Sequence, residues 1–226
     1  MNDIKFICHD KNVLKNFPIV PAKDSMPEWY AKLNDKNYIS NDMPVRDYIT
    51  AGYIIPNVFE QAIGINTEDN IEKPDVIHPV ERPGEFYRSL NHVTAPHYFY
   101  PHEFCPIPIE GAKRSYYKFK LPWRIETPKG YSTLFFQPYY NFTKDFSIMP
   151  FILDTDLYDL SNLEFPCIIK NEVDIKPGQP LVQFIPFKRD SWTHSLHLGK
   201  EETSSKMNFF LFDMYKRAFH QKKTFK

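Results

Sequence analysis

Asp154 and Asp156 stand one residue apart behind the apolar pair Ile152-Leu153. Paired carboxylates bind cations or share acid and base work. In a continuing strand the two would point to opposite faces, so such chemistry needs a further group from elsewhere; both also suit the turn that ends a strand. His92, His97, His102 and Cys105, with Glu103 among them and His78 before them, crowd a Pro-rich stretch that also holds Tyr98, Phe99 and Tyr100. Imidazole with thiolate suits zinc or iron, but these spacings lack the close ligand pairs of structural zinc sites. The other reading is a surface loop whose histidines hydrogen-bond locally. Lys188 and Arg189, and Lys216, Arg217, Lys222, Lys223 and Lys226, offer cations to phosphates or form a solvated helix end. His194 and His197 follow Trp192 near Asp190, and His9 adjoins Asp10. The sequence has no Gly-x-Ser-x-Gly elbow, phosphate-binding glycine loop or dinucleotide fingerprint. Neither Cys105 nor Cys167 has a spaced histidine that would mark a nucleophile.

The elements that must carry these groups read as β-rich. The chain has 226 residues, 28 Lys+Arg against 28 Asp+Glu, 20 Pro and only 7 Gly, with 16% aromatic residues. Zero net charge argues against a nucleic-acid footprint. The apolar runs are too short to span a bilayer, and the N-terminus lacks the layout of a secretory signal, so the expected setting is a cytoplasm. Cys8, Cys105 and Cys167, odd in number and far apart, read as reduced thiols. So much proline predicts short strands and few helices. Ser25 is placed to cap a short helix with Pro27 in its first turn and Trp29, Tyr30 and Leu33 on one face. Residues 47–56 read as a strand, and 64–91 as a polar insertion or paired edge strands. Further strands are predicted at 116–121, 131–137, 148–153, 165–169 and 181–185. After Ser204 and Ser205, the spacing of Met207, Phe210, Leu211, Met214 and Ala218 predicts an amphipathic helix. Tyr98, Phe99, Tyr100, Tyr139 and Tyr140 exceed what one core needs and suit a partner surface.

Several stretches carry a family resemblance. They are Met43-Pro44, 50–56 (TAGYIIP), 122–132 (PWRIETPKGYS), 152–156 (ILDTD) and 176–189 (KPGQPLVQFIPFKR). Together they resemble an uncharacterised family of marine T4-like phages and some bacteria, over most of the chain. More weakly, the order Gly-x-Ser-x-Leu, apolar-Asp-x-Asp, Gly-x-x-apolar-x-Gln is similar to the middle motifs of the dUTPase and dCTP deaminase β-clip fold. That second resemblance implies Ser132 near phosphate, Asp154 as the base, and Gly178 to Gln183 as the strand closing a subunit boundary. The chain departs from it where an arginine normally precedes the serine, here Gly130 or Tyr131, and it has no glycine-rich C-terminal phosphate flap. Hydrolysis of this kind needs such donors on the phosphates.

The expectation is therefore a mainly β, antiparallel β-clip or barrel-like domain with a short N-terminal helix and a C-terminal amphipathic helix. Residues 1–200 form the β-rich domain, 64–110 its loop-rich insertion, and 201–226 the helix. The expected function is that of a phage-type structural or interaction protein without catalytic activity, in virion or host cytoplasm, self-associating or docking on other phage proteins. The alternative is a β-clip nucleotide-binding protein or nucleotide hydrolase/deaminase relative, with Ser132 and Asp154 catalytic and Ser132, Asp154, Asp156, Gln183 and Arg189 on the ligand. No cofactor is expected, with a divalent metal at His92, His97, His102 and Cys105 as the one exception. Membrane and nucleic acid are not expected partners.

Overall fold

Phe135 is fully buried and stacks on Phe151 at 5.0 Å, and its ring also meets Phe165 at 5.7 Å and Phe184 at 5.5 Å. These side chains come from two different sheets, so Phe135 is where the sheets are joined. The computed structural model describes residues 3–33, 38–58, 61–66, 76–80, 97–100, 116–159, 163–199 and 220–225.

In chain order the elements are β1 (Lys5–Ile7), α1 (Lys11–Asn16), β2 (Val20–Pro21), α2 (Glu28–Ala31), α3 (Tyr38–Asn41), α4 (Met43–Thr50), β3 (Tyr53–Pro56), β4 (Gln61–Asn66), β5 (Val76–Val80) and β6 (His97–Tyr100). They continue with β7 (Tyr116–Leu121), β8 (Arg124–Glu126), β9 (Tyr131–Phe136), β10 (Phe146–Ile148), β11 (Phe151–Leu153), β12 (Leu163–Ile169), β13 (Val173–Ile175) and β14 (Pro180–Lys188). Among the described residues every strand pairing is antiparallel, in sheets ordered β11-β9-β14-β3-β2, β10-β12-β7-β6, β13-β4-β5 and β1-β8. The fold is mainly β, as composition predicts, and among the described residues no sheet closes into a barrel.

Alternation builds the core. Along β12, Leu163, Phe165, Cys167 and Ile169 are buried, and they face Phe119 and Leu121 of β7 and Phe135 of β9 within one apolar cluster. Each fully buried Phe contributes about 1.5–3 kcal/mol of transfer free energy. On β14, Leu181 to Phe184 are all buried, as befits a strand flanked on both sides. Pro186 lies beyond the reach of β3, whose pairing stops at Phe184↔Tyr53, so its missing N–H faces no neighbour strand on that side.

Several expectations are corrected. Residues 47–56 are not one strand: the Asp42 carboxylate accepts the Val45 N–H, Pro44 occupies the first turn, and α4 runs to Thr50 before β3 begins. A capped start with Pro in place outweighs the β-branched composition. The 148–153 run is two strands in two sheets, broken at Met149-Pro150, where the Met149 N–H turns to the Pro166 carbonyl at 2.8 Å. Ser25 ends a 3-10 turn and caps nothing; Pro27 is the N-cap of α2, with no side-chain cap. His97 to Tyr100 form β6 against β7 rather than a loop. β4 and β5 do pair, but β4 is the middle strand of β13-β4-β5 and starts at Gln61, so only β5 is an edge strand within 64–91. The apolar stripe of the C-terminal helix, Met207 to Ala218, lies outside the described residues, and 220–225 are not helical. There the chain is held by ion pairs instead: Asp47 accepts from Lys223 and, at 3.0 Å, from His220, while Phe225 packs edge-on against Tyr53. No helix among the described residues is long and apolar enough to cross a membrane.

Candidate functional site

Four of the residues singled out by sequence converge. Strand β11 ends at Leu153, and the chain then turns, with the Asp154 carbonyl accepting the N–H groups of Leu157 at 3.0 Å and Tyr158 at 2.9 Å. The strand does not continue, in line with the turn reading of Asp154 and Asp156, so the two are not held on opposite faces. Both carboxylates instead meet Arg189, one residue past β14. Arg189 grips Asp156 with two bonds, Nη1 to Oδ1 at 2.7 Å and Nη2 to Oδ2 at 2.5 Å, and lies 3.1 Å from Asp154 Oδ1. Ser132 Oγ donates to Asp154 Oδ1 at 2.6 Å and accepts from Arg189 Nη1 at 3.2 Å.

Gly130 completes the ring. Tyr131 N–H returns to the Pro128 carbonyl at 3.2 Å, and this turn holds Gly130 at φ +88°, where glycine is free of strain. The Gly130 N–H then reaches Asp156 Oδ2 at 2.8 Å, and its carbonyl accepts the Arg189 N–H at 2.8 Å. The Arg189 bonds first, and the Gly130 N–H second, hold the Asp156 carboxyl down at about 2. Asp156 in turn raises the guanidinium further above its ordinary value. On the inner side of the 154–158 turn, Thr155 Oγ1 lies 2.8 Å from both Thr127 Oγ1 and Thr133 Oγ1, fixing the turn from below.

This arrangement is a latch between the β14 end, the 128–131 turn and the 154–158 turn. Its charges are two carboxylates against one guanidinium, which disfavours an anionic ligand. Arg189 Nη1 is already engaged by Asp156, Asp154, Ser132 and the Tyr131 carbonyl, the last at 3.0 Å. Ser132 is only 1% exposed, and its hydroxyl is engaged by Asp154 and Arg189.

Gln183 is not part of this cluster. It shares a sheet face with Ser132, but β14 and β9 pair Gln183 with Phe136 and Phe187 with Ser132. Four strand positions separate them, about 13 Å. Its amide instead donates to the Tyr48 and Ala51 carbonyls at 2.9 and 2.8 Å, tying α4 to the sheet. His92, His102 and Cys105 lie outside the described residues, and of His97 only its place on β6 is described. Among the described residues no three His, Cys, Asp or Glu side chains are grouped to hold a metal ion. Cys167 is fully buried, and burial pushes its thiol well up, which makes it inert. Asp10, beside His9, caps α1 by accepting from Asn12 and Val13 N–H.

Sequence reasoning missed the segment that follows the latch. Residues 190–199 form no strand or helix and are exposed throughout, with Trp192 at 89%, Leu196 at 95% and Leu198 at 102%. The signal was present: Trp192, His194, Leu196 and Leu198 alternate with Ser191, Thr193, Ser195 and His197, the period of a strand with one apolar face. Comparison of the chain with family models, with curated proteins and with solved structures finds no match.

Proposed function

We propose that this protein is a non-catalytic structural or interaction protein that self-associates by adding its 190–199 segment as a strand to a second copy. The observation that carries this is the segment itself, a period-two apolar pattern exposed from Trp192 to Leu198. Burying Trp192, Leu196 and Leu198 is worth on the order of 5 kcal/mol before ordering costs. The receiving edge we assign is β11, which ends its sheet and presents Ile152 at 61% exposure, with Leu157 beside it at 73%. Strand addition gives affinity through main-chain bonds and specificity through alternate side chains. The latch supports this reading, since its guanidinium is committed to protein acceptors. The resemblance of 122–132, 152–156 and 176–189 to the T4-like phage family supports a setting in the virion or host cytoplasm, with other phage proteins as further partners.

Sedimentation velocity over a concentration series tests it. The wild-type chain is expected as a dimer or higher oligomer. The triple variant Trp192→Ser, Leu196→Ser, Leu198→Ser and, separately, Ile152→Lys are expected to be monomers with unchanged melting. A wild-type chain that stays monomeric throughout, or a triple variant that associates like wild type, overturns the proposal.

A further inference from the structure

A cavity of about 640 Å³ opens where β9 ends and β14 begins, at the opposite end of these strands from the latch, and it is built from three segments far apart in sequence. The start of α2 brings Trp29, the β9–β10 connection brings Gln137 and Asn141, and the turn between β13 and β14 brings Gln179. The size is in the range of small-molecule sites.

Its walls are fixed before any ligand arrives. The Trp29 indole N–H donates to the Tyr140 carbonyl at 2.8 Å. Buried Asn57 donates to the Ile175 and Lys176 carbonyls at 3.2 and 3.3 Å and accepts the Gly178 N–H at 2.8 Å, so the 175–179 turn is held from behind. Gln137 Oε1 accepts the Ile148 N–H at 3.0 Å and Gln179 Oε1 accepts the Lys176 N–H at 2.9 Å. Both oxygens are thus spoken for, and among the described residues both amide nitrogens, with the Asn141 side chain, remain without a protein partner.

The charge in the lining selects the ligand class. Glu28, Asp145 and Asp174 are its ionisable groups, and no Lys or Arg lines it. That excludes phosphates and carboxylates as ligands. A cation is the competing ligand, because Asp145 accepts only from the neutral Asn171 amide at 3.2 Å and Glu28 meets Lys32 in an exposed pair; carboxylates accept sugar hydroxyls as well as cations, and the spermidine control separates the two. An apolar ligand would strand the amides without partners. A neutral sugar matches all of this: hydroxyls that both give and accept hydrogen bonds, and a C–H face suited to an indole.

We propose that this cavity binds a neutral pyranose-class saccharide, with Trp29 against the ring and Gln137, Asn141 and Gln179 on its hydroxyls. The site is independent of the association through 190–199. Saturation-transfer NMR on the full chain tests it, using maltose, cellobiose, lactose and chitobiose, with spermidine and thymidine monophosphate as charged controls. Transfer to ring protons of at least one disaccharide is expected. Asn141→Ala, on a half-exposed turn, is expected to weaken that binding about fivefold without changing the melting temperature, the value of one hydrogen bond. Trp29→Ala is expected to abolish it. Absence of transfer to all four disaccharides, binding of a charged control alone, or unchanged sugar binding in both variants overturns the proposal.

Discussion

Replacing Gln183 with methionine keeps the side chain's length and removes its amide. Gln183 is 2% exposed and donates to two carbonyls at the end of α4, Tyr48 at 2.9 Å and Ala51 at 2.8 Å. The Tyr48 carbonyl keeps a 3.4 Å contact from the Ala51 N–H, so its loss is about 1 kcal/mol. The Ala51 carbonyl is half-buried and has no such substitute among the described residues, so its loss is about 1–2 kcal/mol. Together the change is about 2–3 kcal/mol, expected as a lower urea midpoint at unchanged m-value, or about 4–12 °C in Tm for a chain of this size. A shift below about 0.5 kcal/mol, with the variant still folded, would refute the reasoning that Gln183 holds α4 onto the sheet. The same variant also addresses the resemblance to the nucleotide enzymes, which gave this glutamine to a ligand. The structure gives it to Tyr48 and Ala51, so stability rather than affinity is the quantity expected to move.

Gly52→Ala is expected to cost more than about 2 kcal/mol in the same denaturation assay, because Gly52 sits at φ +70° and an added Cβ falls 1.9 Å from the Phe184 carbonyl oxygen. Asp156 is held at about 2 against an ordinary 3.8, so its contribution is complete above about pH 4 and is lost as pH falls towards 2. Asp156→Asn is therefore expected to lower stability at neutral pH and to flatten the acid limb between pH 4 and 2, followed by circular dichroism. Burial alone would raise the Asp47 carboxyl, but bonds from Lys223 and His220 overcome it and leave it lowered. Asp47→Ala is expected to release residues 220–225, read as trypsin cleavage after Lys222 and Lys223 that is about fivefold faster.

The strands with clean alternation were legible: β7 falls where Tyr116 to Leu121 was expected, and β9, β12 and β14 differ from expectation only at their ends. What was not legible depended on competition. In 47–56 the β-branched residues spoke for a strand, while one carboxylate, Asp42, and one proline, Pro44, decided for helix. Between Ile148 and Leu153 the composition is uniform, and only Pro150 marks that the chain changes sheets. Asp154, Asp156, Ser132 and Arg189 were each singled out, yet their meeting required the turn at Asp154, which residue types permit without dictating. Gln183 has the right face and the wrong height, a distinction that only register supplies. The cavity beside Trp29 was beyond the sequence altogether, since its walls come from segments joined only by the fold.

The latch and the exposed segment explain each other. A bidentate arginine is a demanding way to end a strand: it covers the Asp156 carboxylate to 3% exposure while Arg189 itself stays 35% exposed. What the expense secures is a direction. The Arg189 N–H to the Gly130 carbonyl is the last main-chain bond before 190–199, and the side chain of the same residue is clamped from the other side by two turns. The chain therefore leaves the sheet from a rigid point although residues 190–199, which follow it, are exposed. Strand addition to a second molecule gains from such a root, since every degree of freedom fixed before encounter is one not lost on binding. In the latch the guanidinium and the Ser132 hydroxyl are both turned to protein acceptors, while Trp192, Leu196 and Leu198 just beyond it are exposed.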